Sequence, residues 1–332
     1  MAGMRENALT FRPPTGNPRF PYADSVRGVA AGAIVVFHLF WGGGSHSGGT
    51  SGPLFFQLTC FVEVFFVLSG FLLFRPYVAA RAEGRAEPTL RAFALRRVLR
   101  IVPAYWIGLT VLAVALGARY VPDVFTHHWW IYYGFGQLYS PRTAPAGLLV
   151  VWSLCVEVTF YAMLPAFAAV TRRATNRLGW YWGAMGPVVA LGASGLVVRS
   201  LTVTGVMPPI LTRSLIGQTH FFAVGLALAV VSVSRSRHPE RHRGVLVRHP
   251  LLACLVALGA FVAAGTVFGV NQPFSLLDWL HSDRASAAGH VLGNDLLVCL
   301  MAAMLISVAV FSADQSRLAR ATFGSRPLMF LG

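Results

Sequence analysis

Residues 54–74 read LFFQLTCFVEVFFVLSGFLLF, and Glu63 is the only charged side chain among these 21 residues. A helix needs about 20 predominantly apolar residues to cross the hydrocarbon core of a bilayer. Similar runs recur along the chain and predict further spans near 26–43, 101–118, 148–168, 181–198, 215–234, 250–270 and 289–311, with a ninth run starting near 327. The sequence therefore predicts an all-α polytopic membrane protein with about eight or nine transmembrane helices.

The composition supports this fold class. Of the 332 residues, 55% are hydrophobic and only 12% are charged, whereas a soluble domain carries roughly 25% charged residues. An ordinary soluble enzyme is therefore excluded. We expect a cytoplasmic tail over residues 1–25 and a single multi-span domain over residues 26–332. The four cysteines lie in apolar runs without metal-ligand spacing, so we expect buried free thiols and no metal site.

The net charge of +15 comes from 27 basic residues, all of them arginine. Basic charge alone is compatible with nucleic-acid binding. However, 21 of the arginines fall in the N-terminal tail and in alternate loops, a pattern that places those segments in the cytoplasm. The charge therefore predicts a plasma-membrane protein with a cytoplasmic N-terminus and no nucleic-acid partner. The arginine-rich loops alternate in this way only if the short aromatic segment 127–139 is interfacial or re-entrant, because an additional span there would invert every later loop.

Ionisable side chains within spans are costly and are candidates for function; we identify Arg27, His38, Glu63, Glu157 and His220. Arg27 and His38 are eleven residues apart, which places them on one face of the first helix, about 16 Å apart along its axis. They are therefore suited to hold two ends of one long ligand. A neutral imidazole is also suited to general-base work on a hydroxyl. The alternative is that Arg27 extends to the interface and His38 binds a neighbouring carbonyl.

The other intramembrane groups have structural alternatives as well. Glu63 needs a partner, and His38 or an arginine is the natural one. Ser69, six residues later, has no local base, so we interpret it and Gly70 as helix-packing residues. Glu157 lies between aromatic residues of a membrane belt, and a structural hydrogen bond is the simplest role for His220.

The segment RAFALRRVLR (91–100) carries Arg96, Arg97 and Arg100. On a helix these arginines form a cluster that suits the phosphates of a nucleotide-like ligand. Contact with anionic lipid is the alternative.

Four motifs taken together resemble integral-membrane acyltransferase family 3, which includes acetylases of surface polysaccharides and acylases of macrolide antibiotics. They are Arg27-x10-His38, FFVLSGFLL (65–73), RRVLRIVPAYW (96–106) and WSLCVEVTFY (152–161). The resemblance implies transfer of an acyl group, acetyl in the simplest case, from acyl-CoA to a hydroxyl of a carbohydrate, glycolipid or macrolide-type acceptor. Acyl-CoA is then a donor substrate, and no cofactor is permanently bound.

By this resemblance, His38 is the catalytic base and Arg27 accompanies it in the first motif. Arg97 and Arg100, with Arg96 beside them, bind CoA. Glu63 and Glu157 occupy acidic positions of the second and fourth motifs, and we expect one of these two catalytic-site acids to orient His38. Three residues depart from the family pattern: Cys155 replaces a serine, Val158 an acid and Thr159 a glutamine. The family pattern also continues beyond Gly332, so we expect the last span or spans to be missing.

Two other functions are compatible with the same residues. A transporter or flippase of a glycolipid or hydrophobic product would use intramembrane Arg, His and Glu as a substrate or proton path. A noncatalytic membrane fragment that binds partners is the third interpretation. A membrane glycosyltransferase is disfavoured because the first outer loop carries no acidic pair.

Overall fold

The computed structural model describes residues 20–42, 52–117, 121, 124–140, 143, 151–237, 249–268 and 284–311. Within these ranges the chain forms α-helices and short 3-10 or π turns, with no β-strand. The helices are α1 (Pro21–Gly42), α2 (Gly52–Gln57), α3 (Phe61–Ala82), α4 (Leu90–Leu116), α5 (Trp129–Tyr133), α6 (Trp152–Val203), α7 (Leu215–Arg237), α8 (Pro250–Ala263) and α9 (Arg284–Phe311). Residues 1–19 of the expected tail and the run from 327 lie outside the described residues.

Seven helical segments of the described chain are long and apolar enough to cross a membrane. They are Tyr22–Phe40, Leu54–Ala82, Leu90–Ala115, Trp152–Val203, Pro209–Arg237, Pro250–Phe268 and Ala288–Phe311. The protein is therefore an all-α, multi-pass membrane protein, and the predicted fold class is confirmed.

The longest segment, α6, contains two of the predicted spans. At its middle, Gly179 has φ 77° and ψ 163°, a backbone conformation that is essentially restricted to glycine. A Cβ atom on Gly183 would overlap the backbone of Thr175. Residues eight positions apart in one straight helix lie about 12 Å apart, so the chain must reverse at Gly179. We therefore describe α6 as two antiparallel spans, α6a (152–178) and α6b (180–203), which gives eight spans in the described chain.

Helix α7 forms the centre of the bundle and packs most extensively against α3 and α6. The backbones of α3 and α7 touch where they cross, because a Cβ atom on Gly70 would overlap the carbonyl of Phe222, and one on Gly225 would overlap the carbonyl of Val67. Small residues permit such close approach of membrane helices. The ring of Phe222 stacks on Phe66 of α3 at 4.8 Å and on Phe160 of α6a at 4.0 Å between ring centroids.

The connection from α3 to α4 sets the start of the arginine-bearing helix. Gly84 has φ 66°, and the amide of Arg85 donates to the carbonyl of Ala80 at 2.7 Å, which is a Schellman ending for α3. The hydroxyl of Thr89 then accepts from the amide of Ala92 and caps the first turn of α4. Arg97 and Arg100 lie two to three turns beyond this cap.

The aromatic segment 127–139 does not form a span. Its helix α5 has only five residues, and it packs against α4, since the Tyr105 hydroxyl donates to the carbonyl of Tyr132 at 2.7 Å and the Trp106 indole donates to the carbonyl of Tyr133 at 3.0 Å. Tyr132 is fully buried. The segment contains no helix that is long enough to cross a membrane, and its interfacial or re-entrant position remains a prediction.

Candidate active site

Helices α1, α3, α4 and α6a enclose a polar cavity of about 250 Å³. Three arginines and one carboxylate face it: Arg27, Arg97, Arg100 and Glu157. The remaining lining residues are Ser69 and Tyr161, together with the apolar side chains Ala31, Phe65, Leu72, Leu73 and Ile101. The excess of positive charge suits an anionic ligand with several acceptor oxygens.

Two hydroxyl groups fix the carboxylate of Glu157. The hydroxyl of Ser69 on α3, which is 88 residues away in sequence, donates a hydrogen bond to the Oε1 atom of Glu157. The Tyr161 hydroxyl, one turn along α6a, donates to the same oxygen at 2.5 Å. Ser69 therefore does more than pack the helices, because it ties α3 to the acid of the fourth motif. Hydrogen bonds to an ionised acceptor are the strong ones in proteins.

The predicted arginine cluster divides between the cavity and the surface. The Arg97 guanidinium lies 5.7 Å above the centroid of the Tyr161 ring, and its buried Nε atom has no hydrogen-bond partner among the described residues. Arg100 lines the same cavity, whereas Arg96 is exposed and does not line it. Arg27 enters from α1 and forms an ion pair with Asp24 at 2.7 Å. Arg97 therefore contributes its positive charge to the cavity from a position against the Tyr161 ring.

His38 lies outside this cavity, on the exposed side of α1. Its Nδ1 atom is 2.7 Å from the carbonyl of Ile34. A carbonyl only accepts, so Nδ1 carries the proton and a neutral ring keeps its Nε2 lone pair free. Neither Glu63 nor Glu157 hydrogen-bonds to His38 in the described chain. The assignment of His38 as base remains a prediction, with Ile34 rather than a carboxylate fixing the tautomer.

The family model described as an acyltransferase domain matches residues 20–332, nearly the whole chain. The chain belongs to acyltransferase family 3. The resemblance predicted from the four motifs is thereby confirmed.

Two of the curated relatives of this acyltransferase family 3 chain are described as peptidoglycan O-acetyltransferases, one of them as putative. The peptidoglycan O-acetyltransferase OatA of Listeria monocytogenes is 26% identical over 165 residues, which cover 45% of this chain and 24% of the relative. The putative peptidoglycan O-acetyltransferase YrhL of Bacillus subtilis is 26% identical over 164 residues, with the same two coverages. Nodulation protein 10 of Rhizobium leguminosarum is 28% identical over 175 residues, covering 46% of this chain and 43% of the relative. The match thus spans less than half of each relative, and no solved structure matches the chain.

The three departures from the family 3 motif lie in three different environments. Cys155 is fully buried in the core. Val158 lines a neighbouring apolar cavity. The Thr159 hydroxyl lies 2.9 Å from the Tyr139 hydroxyl and donates to the carbonyl of Cys155 at 2.8 Å. None of the three lines the arginine–glutamate cavity itself.

A second buried polar cluster lies apart from this cavity and corrects the sequence analysis. Arg199, one residue beyond the predicted span 181–198, belongs to α6b and pairs with Asp295 of α9 at 2.8 Å. The Nη2 atom of Arg199 lies 3.4 Å from the Oδ1 atom of Asp295, and the Nη1 atom of Arg199 donates to the carbonyl of Thr212 at 3.2 Å. Asp295 was missed although it falls within the predicted span 289–311. It is 2% exposed.

Glu63 and His220 belong to this second cluster. The carboxylate of Glu63 interacts electrostatically with Asp295 and Arg199, and its Oε2 atom is buried without a hydrogen-bond partner among the described residues. The Nε2 atom of His220 lies 3.4 Å from Asp295, within ion-pair distance but without hydrogen-bond geometry. The structure therefore places Glu63 and Glu157 in different polar clusters.

The four cysteines, Cys60, Cys155, Cys254 and Cys299, are free thiols. Among the described residues, no group of three His, Cys, Asp or Glu side chains is placed to hold a metal ion.

Proposed function

We propose that the protein is a membrane O-acyltransferase that moves an acyl group from acyl-CoA to a hydroxyl of a carbohydrate, glycolipid or macrolide-type acceptor. The observation that carries this proposal is the convergence of Arg27, Arg97 and Arg100 around Glu157 in one cavity. Membership of the family and the names of two relatives, which are O-acetyltransferases, support it.

The arginines would bind the phosphates of the donor. Guanidinium groups recognise phosphate through paired hydrogen bonds, and Arg97 and Arg100 lie three residues apart, on one face of α4. Because the charge pattern of the loops predicts that α4 begins on the cytoplasmic side of the plasma membrane, CoA would enter from the cytoplasm. Glu157 balances part of the arginine charge and keeps the two hydroxyls of Ser69 and Tyr161 in place.

His38 would act on the acceptor at the far end of the donor. Arg27 and His38 lie on one face of α1, about 16 Å apart along the axis, so a long donor is able to contact both. Nε2 of His38 would take the proton of the acceptor hydroxyl as its oxygen attacks the thioester carbonyl. The new C–O bond replaces the C–S bond, and the proton passes to the CoA sulfur. This direct transfer requires no covalent enzyme intermediate.

The proposal is tested with purified protein in lipid nanodiscs, labelled acetyl-CoA and a panel of sugars and macrolides. We expect thiol release that depends on the acceptor. The His38→Ala variant should insert normally and lose transfer, whereas Val35→Ala, an exposed neighbour on the same helix, should retain it. Full activity of the His38→Ala variant would show that His38 is not the base. Thiol release without any acceptor would indicate hydrolysis of the thioester instead of acyl transfer.

A further inference from the structure

The carboxylate of Asp24 lies beside the polar cavity without lining it. The Nη1 atom of Arg27 donates to the Oδ1 atom of Asp24 at 2.7 Å, and the two side chains form an ion pair. They are three residues apart near the start of α1, so they share one face of that helix. Arg27 lines the cavity while this bond is formed. Pairing with Asp24 is therefore compatible with a guanidinium that faces a ligand.

The three arginines of the cavity are held in place in different ways. The guanidinium of Arg97 lies against the ring of Tyr161, and the charges of Arg97 and Arg100 repel each other. Among the described residues, Arg27 is the only one of the three that forms an ion pair with a carboxylate. The position of the Arg27 side chain thus depends on a residue outside the cavity.

Without a ligand, electrostatic repulsion opposes the convergence of these arginines. Three guanidinium groups line the cavity with one carboxylate, that of Glu157, and like charges repel each other more strongly in a protein than in water. The side chain of Arg27 is long, flexible and 21% exposed, so it has room to turn away from the other arginines toward the membrane surface. The carboxylate of Asp24 opposes this movement, because it attracts the guanidinium of Arg27 and fixes its rotamer.

We propose that Asp24 is a positioning residue, whose carboxylate holds the Arg27 guanidinium in the cavity before the phosphates of acyl-CoA bind. This inference rests on the proposed function, because it concerns the same donor. A side chain that is already fixed in its bound rotamer loses less conformational entropy on binding. Asp24 should therefore change the affinity for the donor and leave the chemical step unchanged. Two alternatives need to be separated: Asp24 stabilises only the first turn of α1, or its negative charge repels the phosphates.

The test measures the Kd of labelled CoA for the protein in nanodiscs, together with kcat and KM for acetyl-CoA. Asp24→Asn should raise Kd and KM by about tenfold, as for loss of one hydrogen bond to a charged group, with kcat unchanged. Asp24→Glu keeps the charge and should restore most of the affinity. In the Arg27→Gln background, Asp24→Asn should have no further effect, because Asp24 acts only through Arg27.

Glu83→Gln is the matched control for the loss of a carboxylate. The Glu83 side chain is 41% exposed, against 39% for Asp24. It pairs with Arg85 at 2.5 Å, and neither of these two residues lines the cavity. Glu83→Gln should therefore leave the Kd of CoA unchanged, and a rise equal to that of Asp24→Asn would overturn the inference.

The remaining outcomes separate the inference from its alternatives and from the proposed function. A Kd that falls or stays unchanged in Asp24→Asn would overturn the positioning role, and a fall would show that Asp24 repels the phosphates. A rise in Kd that persists in the Arg27→Gln background, with a lower thermal unfolding midpoint, would assign Asp24 to the stability of α1 instead. The expected pattern of Kd values without any acyl ester formed would support the positioning role and contradict O-acyl transfer.

Discussion

Replacing Arg97 by glutamine should weaken use of acyl-CoA strongly, because this change removes one of the three guanidinium groups that line the polar cavity. A hydrogen bond to a charged group contributes about 1.5–3 kcal/mol, which corresponds to a loss of roughly 10- to 150-fold in kcat/KM. Most of the loss should lie in KM, since the phosphates are bound equally in the ground and transition states. The assay is acceptor-dependent thiol release with acetyl-CoA over a concentration series.

Two matched comparisons decide whether phosphate contact is the cause. Acetyl-pantetheine lacks the nucleotide phosphates, so the Arg97→Gln variant should differ little from the unchanged protein with this donor. Arg96→Gln removes an adjacent arginine that is exposed and outside the cavity, and should change kcat/KM by about twofold at most. An equal loss with both donors, or an equal loss in Arg96→Gln, would refute the assignment of Arg97 as a phosphate ligand.

Three further predictions concern the packing and the buried polar groups. Gly225→Ala should lower the thermal unfolding midpoint in detergent, because overpacking destabilises the folded protein by about 1–3 kcal/mol. Gly259→Ala, where the added Cβ atom meets nothing within 4 Å, should leave the midpoint unchanged. Equal midpoints for the two variants would contradict the close crossing of α3 and α7. Asp295→Asn leaves the charge of Arg199 without its partner and should lower the free energy of unfolding by about 3–5 kcal/mol. Adding Arg199→Gln to this variant should restore part of the thermal midpoint. Additive losses of stability in the double variant would argue against the ion pair. Tyr161→Phe removes one donor to Glu157 and should reduce kcat/KM by about tenfold; an unchanged rate would show that this hydroxyl is dispensable.

The spans and the non-spanning segment could be predicted because they depend on local properties. Run length, apolar content and arginine distribution are read directly from the chain. The same holds for the cluster of Arg97 and Arg100, since residues three apart share a helix face. The glycine-mediated contact at Gly70 followed from its small size beside a long apolar helix.

The pairings between distant helices could not be predicted in the same way. Ser69 and Glu157 are 88 residues apart, and Arg199 and Asp295 are 96 apart. Which helices become neighbours is a property of tertiary packing rather than of either segment. Asp295 could have been identified from the sequence, because it is a charged residue within a predicted span and such residues are candidates for function. The chain reversal near Gly179 was predicted, because the polar segment TRRATNR (171–177) separates the predicted spans 148–168 and 181–198. Only the φ angle of Gly179 is not specified by the sequence.

The most direct measurement of the central claim is the recovery of the labelled acyl group on the acceptor. Purified protein is incubated with acyl-CoA labelled in the acyl carbon, and ester product and free thiol are quantified together. The proposed O-acyl transfer predicts one thiol released for each acyl ester formed on an acceptor hydroxyl, with both products lost in His38→Ala and strongly reduced in Arg97→Gln. Movement of an unmodified acceptor across the bilayer without ester formation would contradict it and favour a transporter.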